Sequence, residues 1–160
     1  MKKIISIIGP SEASQEELTF AEKIGFLLGS KGFVVATGGK KGVMEAALKG
    51  AKEGGGITVA VIPEVDPEAA NPFADIVIPT GLGEGRNFIL VRTGKVILAV
   101  GYSEGTLIEI AIANKIKKPV IGFNIPQIPG IKILEVKTPE EALIKINEYL
   151  EGKHVGDRWS

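Results

Sequence analysis

The sequence predicts one Rossmann-like α/β domain, with a parallel sheet of six or seven strands and helices on both faces. Two observations carry this prediction. Short β-branched runs alternate with helical stretches along the 160 residues, and the runs are apolar at almost every position, which is typical of strands covered on both faces. No linker, repeat or low-complexity segment divides the chain. We expect a single domain over residues 1–150 and a polar C-terminal tail over 151–160.

The strands are predicted from the apolar runs and the helices from their roughly 3.6-residue periodicity. The predicted strands cover residues 3–8, 33–36, 57–62, 75–78, 95–100, 119–123 and 132–136. The predicted helices cover residues 14–29, 43–52, 86–93, 106–117 and 139–150. Thr138 and Pro139 are typical of the N-cap and first helical position of the last helix. Residues 63–73 hold three prolines and are predicted to form a loop.

Composition excludes several classes of function. Lys and Arg balance Asp and Glu at 19 each, which disfavours a nucleic-acid or membrane partner. The absence of Cys and the single His exclude disulfides, zinc fingers and most catalytic triads. Since no secretory leader or membrane-spanning run is recognisable, we expect a cytoplasmic protein. The excess of Lys over Arg and of Glu over Asp resembles the pattern of hyperthermophilic proteins, which we state as a hypothesis about source.

Glycine is the unusual residue, with 21 of 160 positions. Four loops that follow predicted strands carry it: residues 9–11, 37–42, 81–87 and 101–106. In an open α/β sheet these loops lie at one edge, where ligands bind. Glycine lets backbone N–H groups converge on an anion, and a helix starting directly after the loop adds its own N–H groups. The four loops together predict a phosphate or nucleotide site, although each alone is also typical of a tight turn.

Better-known phosphate motifs are absent from these loops. Gly9-Pro10 stands where a dinucleotide fingerprint would follow the first strand, and Gly39-Lys40-Lys41-Gly42 lacks the Walker A spacing. An ordinary dehydrogenase and a P-loop NTPase are therefore disfavoured, while a mononucleotide or sugar phosphate remains compatible. Glu64, Asp66 and Glu68 could in principle bind a divalent cation, but we interpret them as a solvated loop, and we predict no metal.

Arg86 and Glu109 are the candidate reactive residues. Arg86 opens a helix after a glycine-rich loop, where a guanidinium can bind phosphate with two hydrogen bonds; a surface ion pair is the alternative. Glu109 lies one turn beyond Gly105-Thr106. The pattern Thr106-x-x-Glu109 is also a capping box, like Ser14-x-x-Glu17 and Thr138-x-x-Glu141, so capping and catalysis both stay open for Glu109.

Two motifs carry a resemblance to a known family. They are Gly38-Gly39-Lys40-Lys41-Gly42-Val43-Met44 and Gly101-Tyr102-Ser103-Glu104-Gly105-Thr106-Leu107-Ile108-Glu109. With Arg86 on the preceding helix, they resemble the lonely-guy family of phosphoribohydrolases and its relatives, the lysine decarboxylase-like proteins and the molybdenum-cofactor carriers. Gly85-Arg86-Asn87 is especially similar to the carrier branch.

The resemblance implies a nucleotide-binding protein. A phosphoribohydrolase cleaves the N-glycosidic bond of a nucleoside 5′-monophosphate, with Arg86 and Glu109 as the catalytic pair and no resident cofactor. Together, the loops and the two motifs predict these further ligand-binding residues: Gly9, Ser11, Gly38, Gly39, Lys40, Gly42, Met44, Asn87, Gly101, Ser103, Gly105 and Thr106. Tyr102 and Ser103 stand where the family has glycines. The alternative is therefore a non-catalytic carrier or sensor of molybdopterin cofactor or another nucleotide derivative.

Association is also predicted. The helix over residues 107–116 is apolar nearly all round, so it needs cover on more than one side. Related proteins form dimers or higher even assemblies, and we expect a homodimer or a larger even homo-oligomer. Trp159 in the tail is a candidate for docking on a neighbouring subunit. A DNA-binding relative of the same fold is a third alternative, which the zero net charge disfavours.

Overall fold

The computed structural model describes residues 1–152, so the prediction for Trp159 lies outside it. It confirms the Rossmann-like class, with one seven-stranded, all-parallel sheet in the order β4-β3-β2-β1-β5-β6-β7. The strands are β1 (Ile4–Ile8), β2 (Val34–Thr37), β3 (Thr58–Ile62), β4 (Ile76–Pro79), β5 (Val96–Val100), β6 (Val120–Phe123) and β7 (Leu134–Glu135).

Five helices cover the two faces of the sheet. They are α1 (Gln15–Ser30), α2 (Val43–Glu53), α3 (Arg86–Thr93), α4 (Glu104–Lys115) and α5 (Pro139–Leu150). Helix α1 packs against α2 and α5 on one face, while α3 and α4 pack together on the other. Because alternate strand residues point to opposite faces, Ile7 joins the first apolar core and Ile8 the second. No helix within the described residues is long and apolar enough to cross a membrane.

The order of strands fixes where a ligand crevice opens. From β1 the chain proceeds outward through β2, β3 and β4, and from β5 it proceeds in the opposite direction through β6 and β7. Neighbouring β1 and β5 pair in parallel, with Ile8 opposite Ala99 at their carboxyl ends. The loops after these two strands therefore diverge, which creates the crevice used by open α/β folds.

Glycine also serves the packing of α1 on α2. A Cβ on Gly25 would collide with the carbonyl of Ala47, and one on Gly50 would collide with the carbonyl of Glu22. The two helix backbones are therefore in direct contact, an approach that any larger residue would prevent. Part of the glycine excess consequently belongs to the core and not to the ligand edge.

Of the three predicted capping boxes, the structure shows one complete box and contradicts the other two. Helix α1 has the complete box: Ser14 Oγ accepts from the Glu17 N–H (3.1 Å), and Glu17 accepts from the Ser14 N–H (3.0 Å). At α5, Thr138 caps Glu141, but the Glu141 carboxylate accepts from the Lys137 N–H instead of that of Thr138.

The capping box predicted for Thr106 and Glu109 is wrong. Helix α4 begins at Glu104, two residues earlier than predicted, because Ser103 is its N-cap. Ser103 Oγ accepts from the Thr106 N–H at 3.2 Å. Thr106 is thus already inside the first turn, and Glu109 lies too far along α4 to reach the cap, which frees its carboxylate from a capping role.

Candidate functional site

Three of the predicted loops meet at the carboxyl edge of the sheet. The Pro10 carbonyl, after β1, accepts a hydrogen bond from the Val43 N–H at the start of α2 (3.1 Å). A Cβ on Gly101, after β5, would lie 3.0 Å from Pro10 Cδ and 3.0 Å from the Glu17 carboxylate. The loops after β1, β2 and β5 therefore form one continuous surface beside the crevice.

Arg86 reaches this edge from the other side of the sheet. As the first residue of α3, it donates from Nη1 to the carbonyl of Gly38 (2.6 Å) and to that of Val61 (3.0 Å). A Cβ on Gly38 would collide with this Nη1 and would lie 2.9 Å from Met44 Sδ. Gly38 is thus the residue that makes room for the guanidinium. Arg86 Nε is buried without a hydrogen-bond partner among the described residues, so one donor of Arg86 is left unsatisfied there.

Glu109 is the most perturbed acid near Arg86. Its side chain lies on α4 and is 8% exposed. Burial raises the pKa of Glu109 to about 7, while the charge of Arg86 lowers it and that of Glu84 raises it further. At neutral pH this carboxyl group therefore exists in both protonation states, which suits a group that exchanges a proton with a ligand.

The start of α4 supplies donors for an anion. Ser103 Oγ lies 3.0 Å from the hydroxyl of buried Thr106. The N–H groups of Glu104 and Gly105 have no acceptor within the described residues. A Cβ on Gly105 would meet nothing closer than Ser103 Oγ at 3.9 Å. This turn is therefore open to solvent and presents backbone N–H groups at the positive end of a helix dipole.

The remaining predicted residues line the same edge in different ways. Gly9 abuts the Val100 carbonyl, Gly39 packs on Ala60 and Ile62, and Gly42 abuts the carbonyls of Pro10 and Ser11. Ser11 itself is exposed, whereas Asn87, next to Arg86, is buried. The N-terminus of α2 has one free backbone N–H group fewer than predicted, because the N–H of Val43 already donates to the Pro10 carbonyl.

Sequence reasoning missed Glu64. Asp66 and Glu68 are exposed, in agreement with a solvated loop, but Glu64 is half-buried and forms an ion pair with Lys40 (2.5 Å). The available signal was its position: Glu64 follows β3 at the edge where the glycine-rich loops gather. Among the described residues, no group of three or more His, Cys, Asp or Glu side chains is placed to hold a metal ion.

Comparisons with known proteins extend over nearly the whole chain. The SLOG cluster4 family matches residues 2–151. A molybdenum cofactor binding protein from Rippkaea orientalis is 34% identical over 94% of this chain and 98% of its own, with a TM-score of 0.89. The molybdenum cofactor carrier protein from Chlamydomonas reinhardtii is 33% identical over 94% and 99%, with a TM-score of 0.83. An uncharacterised protein of Archaeoglobus fulgidus is 43% identical over 87% of this chain and 91% of its own.

Proposed function

The chain belongs to the SLOG cluster4 family, and we propose that it is a cytoplasmic carrier or sensor of the molybdenum cofactor or a related nucleotide-like phosphate. The observation that carries the proposal is the similarity, at 33–34% identity over 94% of the chain, to two proteins described as binding or carrying that cofactor. This similarity favours a carrier over a hydrolase, the other activity that the lonely-guy resemblance implies.

The donor set supports an anionic ligand. A phosphate group would bind at the N–H groups of Glu104 and Gly105 and the hydroxyls of Ser103 and Thr106. Arg86 would hold the ligand from the side of β2 and β3, where its Nε lacks an acceptor among the described residues. The glycines of the loops after β1 and β2 would shape the rim, with Met44 close to the guanidinium at Gly38 and Asn87 next to Arg86 in the chain. Molybdopterin is a phosphorylated pterin, so this donor set fits its phosphate as well as that of a nucleotide.

Paired arginine variants of α3 test the proposal. We expect the wild-type protein to retain molybdenum cofactor through gel filtration and Arg86→Lys to lose at least tenfold in affinity, because a lysine cannot reproduce the fixed guanidinium geometry. Arg92 is an exposed arginine on the same helix, so Arg92→Lys is the matched control. Equal retention by both variants, or no retention by wild type, would contradict the proposal.

A phosphoribohydrolase is the second candidate, favoured by one observation. Glu109 is buried near Arg86 and has a pKa of about 7, as expected for a group that stabilises the oxocarbenium-like charge on the ribose or protonates the departing base. Incubation with AMP and related monophosphates, followed by chromatography for free base, tests this activity. Binding of AMP without release of base eliminates the enzyme, and release by Glu109→Ala at the wild-type rate eliminates Glu109 as the catalytic residue.

Self-association is part of the proposal. Helices α3 and α4 expose Phe88 (58%) and Ile108 (46%) on the outer surface of the described chain. Covering such side chains stabilises an assembly by removing apolar area from water. We propose a homodimer or a higher even homo-oligomer that buries this surface; light scattering should give an even multiple of 16.9 kDa, and a monomeric mass would refute the assembly.

A further inference from the structure

An ion pair between Lys40 and Glu64 lies near Arg86. Neither side chain is among the phosphate donors proposed above. Lys40 Nζ lies 2.5 Å from Glu64 Oε2 and donates to the Ala69 carbonyl at 3.2 Å. The two side chains are 32% and 38% exposed. The pair joins the loop after β2 to the loop after β3, and both of these strand ends contribute a carbonyl to Arg86.

Hydrogen bonds from Asn71 hold the backbone around Lys40 in place without the help of the ion pair. Asn71 donates its N–H to the Gly39 carbonyl (2.8 Å) and its side-chain amide to the Lys40 carbonyl (2.9 Å). The flexible part of Lys40 is therefore its side chain, whose ammonium group is a mobile point charge on a four-carbon stem. If Glu64 released it, the ammonium could turn toward a ligand without any change of fold.

Glu64 lies under the influence of two cations. The ion pair with Lys40 keeps the pKa of Glu64 below its ordinary value, and the charge of Arg86 lowers it further. Within residues 1–152, Glu64 Oε1 is buried without a hydrogen-bond partner, as is the Nε of Arg86. One carboxylate thus offsets part of the positive charge that an approaching phosphate would otherwise meet, and its second oxygen remains unused.

We infer that Glu64 is a specificity-determining residue: by holding Lys40, it withholds a cation from the ligand and makes the site favour ligands with few negative charges. The inference rests on the proposed function, since it concerns the charge of the ligand bound next to Arg86. A monophosphate would be accepted with the ion pair intact, whereas each additional phosphate charge would meet the Glu64 carboxylate without the help of Lys40.

Calorimetric titration with adenosine, AMP and ADP tests this inference. Glu64→Gln removes the charge and keeps the shape, so Lys40 becomes available to the ligand. We expect about threefold to fivefold tighter binding of AMP, the size of a partly exposed ion-pair interaction, with a larger gain for ADP and none for adenosine. The double variant Glu64→Gln/Lys40→Gln should lose this gain, because the released cation is absent.

Asp75→Asn is the matched control. It removes another ion pair of 2.5 Å, that of Asp75 with Lys52, which lies at the opposite ends of β3 and β4. The Asp75→Asn variant should bind AMP with the affinity of the wild type, and thermal melting checks that the variant is folded.

The outcomes separate this inference from the function itself. If wild type binds AMP and Glu64→Gln binds AMP and ADP no more tightly, the role of Glu64 is refuted and the function stands. A gain that persists in the double variant would also refute it, because Lys40 would not be its source. If wild type binds neither AMP nor molybdenum cofactor, the proposed function fails. Binding of AMP gained only with Glu64→Gln would support the inference, whereas no binding by either protein would overturn it.

Discussion

The two glycine-rich loops at the ligand edge use the same residue type in opposite ways. In the first loop, residues 37–42, Gly38 makes room for Arg86 and Gly42 fits against two carbonyl groups of the preceding loop. In the second loop, residues 101–106, Gly105 faces open space, and the N–H groups of Glu104 and Gly105 have no acceptor within the described residues. A glycine motif can therefore build the walls of a site as well as leave backbone donors open to solvent.

The largest expected effect comes from filling the first loop. Gly42 has a φ of +66°, and a Cβ added there would collide with the carbonyls of Pro10 and Ser11. Gly42→Ala therefore adds both backbone strain and a collision with backbone atoms that cannot rotate away. We expect a loss of about 3 kcal/mol in the free energy of unfolding, measured by urea denaturation. A loss below about 0.5 kcal/mol would show that the first loop is as open as the second.

A smaller effect concerns the helix that follows the second loop. Because burial raises the pKa of Glu109 to about 7 from 4.5, the folded chain keeps a proton that the unfolded chain releases. Stability should therefore fall as pH rises from about 5 to about 8, by roughly 2.5 kcal/mol. Glu109→Gln should flatten this dependence and be more stable than wild type at pH 8. Glu104→Gln, an exposed acid on the same helix, should leave it unchanged; an unaltered pH profile in Glu109→Gln would contradict the assignment.

The smallest effect sharpens the contrast between the loops. Gly105→Ala places a methyl group in open space within α4, so the free energy of unfolding should rise by about 0.5 kcal/mol or slightly more. The same methyl group would stand where a phosphate approaches the backbone, so binding of molybdenum cofactor or AMP should weaken. A variant that is stabilised but binds its ligand normally would remove Gly105 from the site.

The sequence patterns predicted the fold well because the relevant forces are local. Fully apolar runs bounded by Gly and Pro located the strands to within about two residues at each end, and α3 begins and ends at its predicted residues. Strand β7 is shorter than its apolar run, since only Leu134 and Glu135 pair with β6. Ser103 and Thr106 both precede the α4 pattern at plausible capping positions, and the choice between them depends on where the chain leaves β5.

The candidate site was predictable in part. Arg86 and Glu109 were singled out by their loops, but the partner of Arg86 is 48 residues away, at Gly38, and no spacing rule connects the two. Glu64 was set aside because proline-rich acidic loops are usually solvated. Its burial depends on Lys40 and on the approach of α3 from the far face, which only the tertiary arrangement provides. The ligand-contacting roles of the predicted residues remain predictions.

The direct backbone contact between α1 and α2 has a mechanical consequence. At Gly25 and Gly50 the two helices meet backbone to backbone, so no side chain at these two points could compress or change rotamer. We therefore expect the side of the crevice formed by α1 and α2 to be stiff. If the proposed site closes around a ligand, we expect the movement on the side of α3 and α4, which is also the surface that the proposed second subunit would cover.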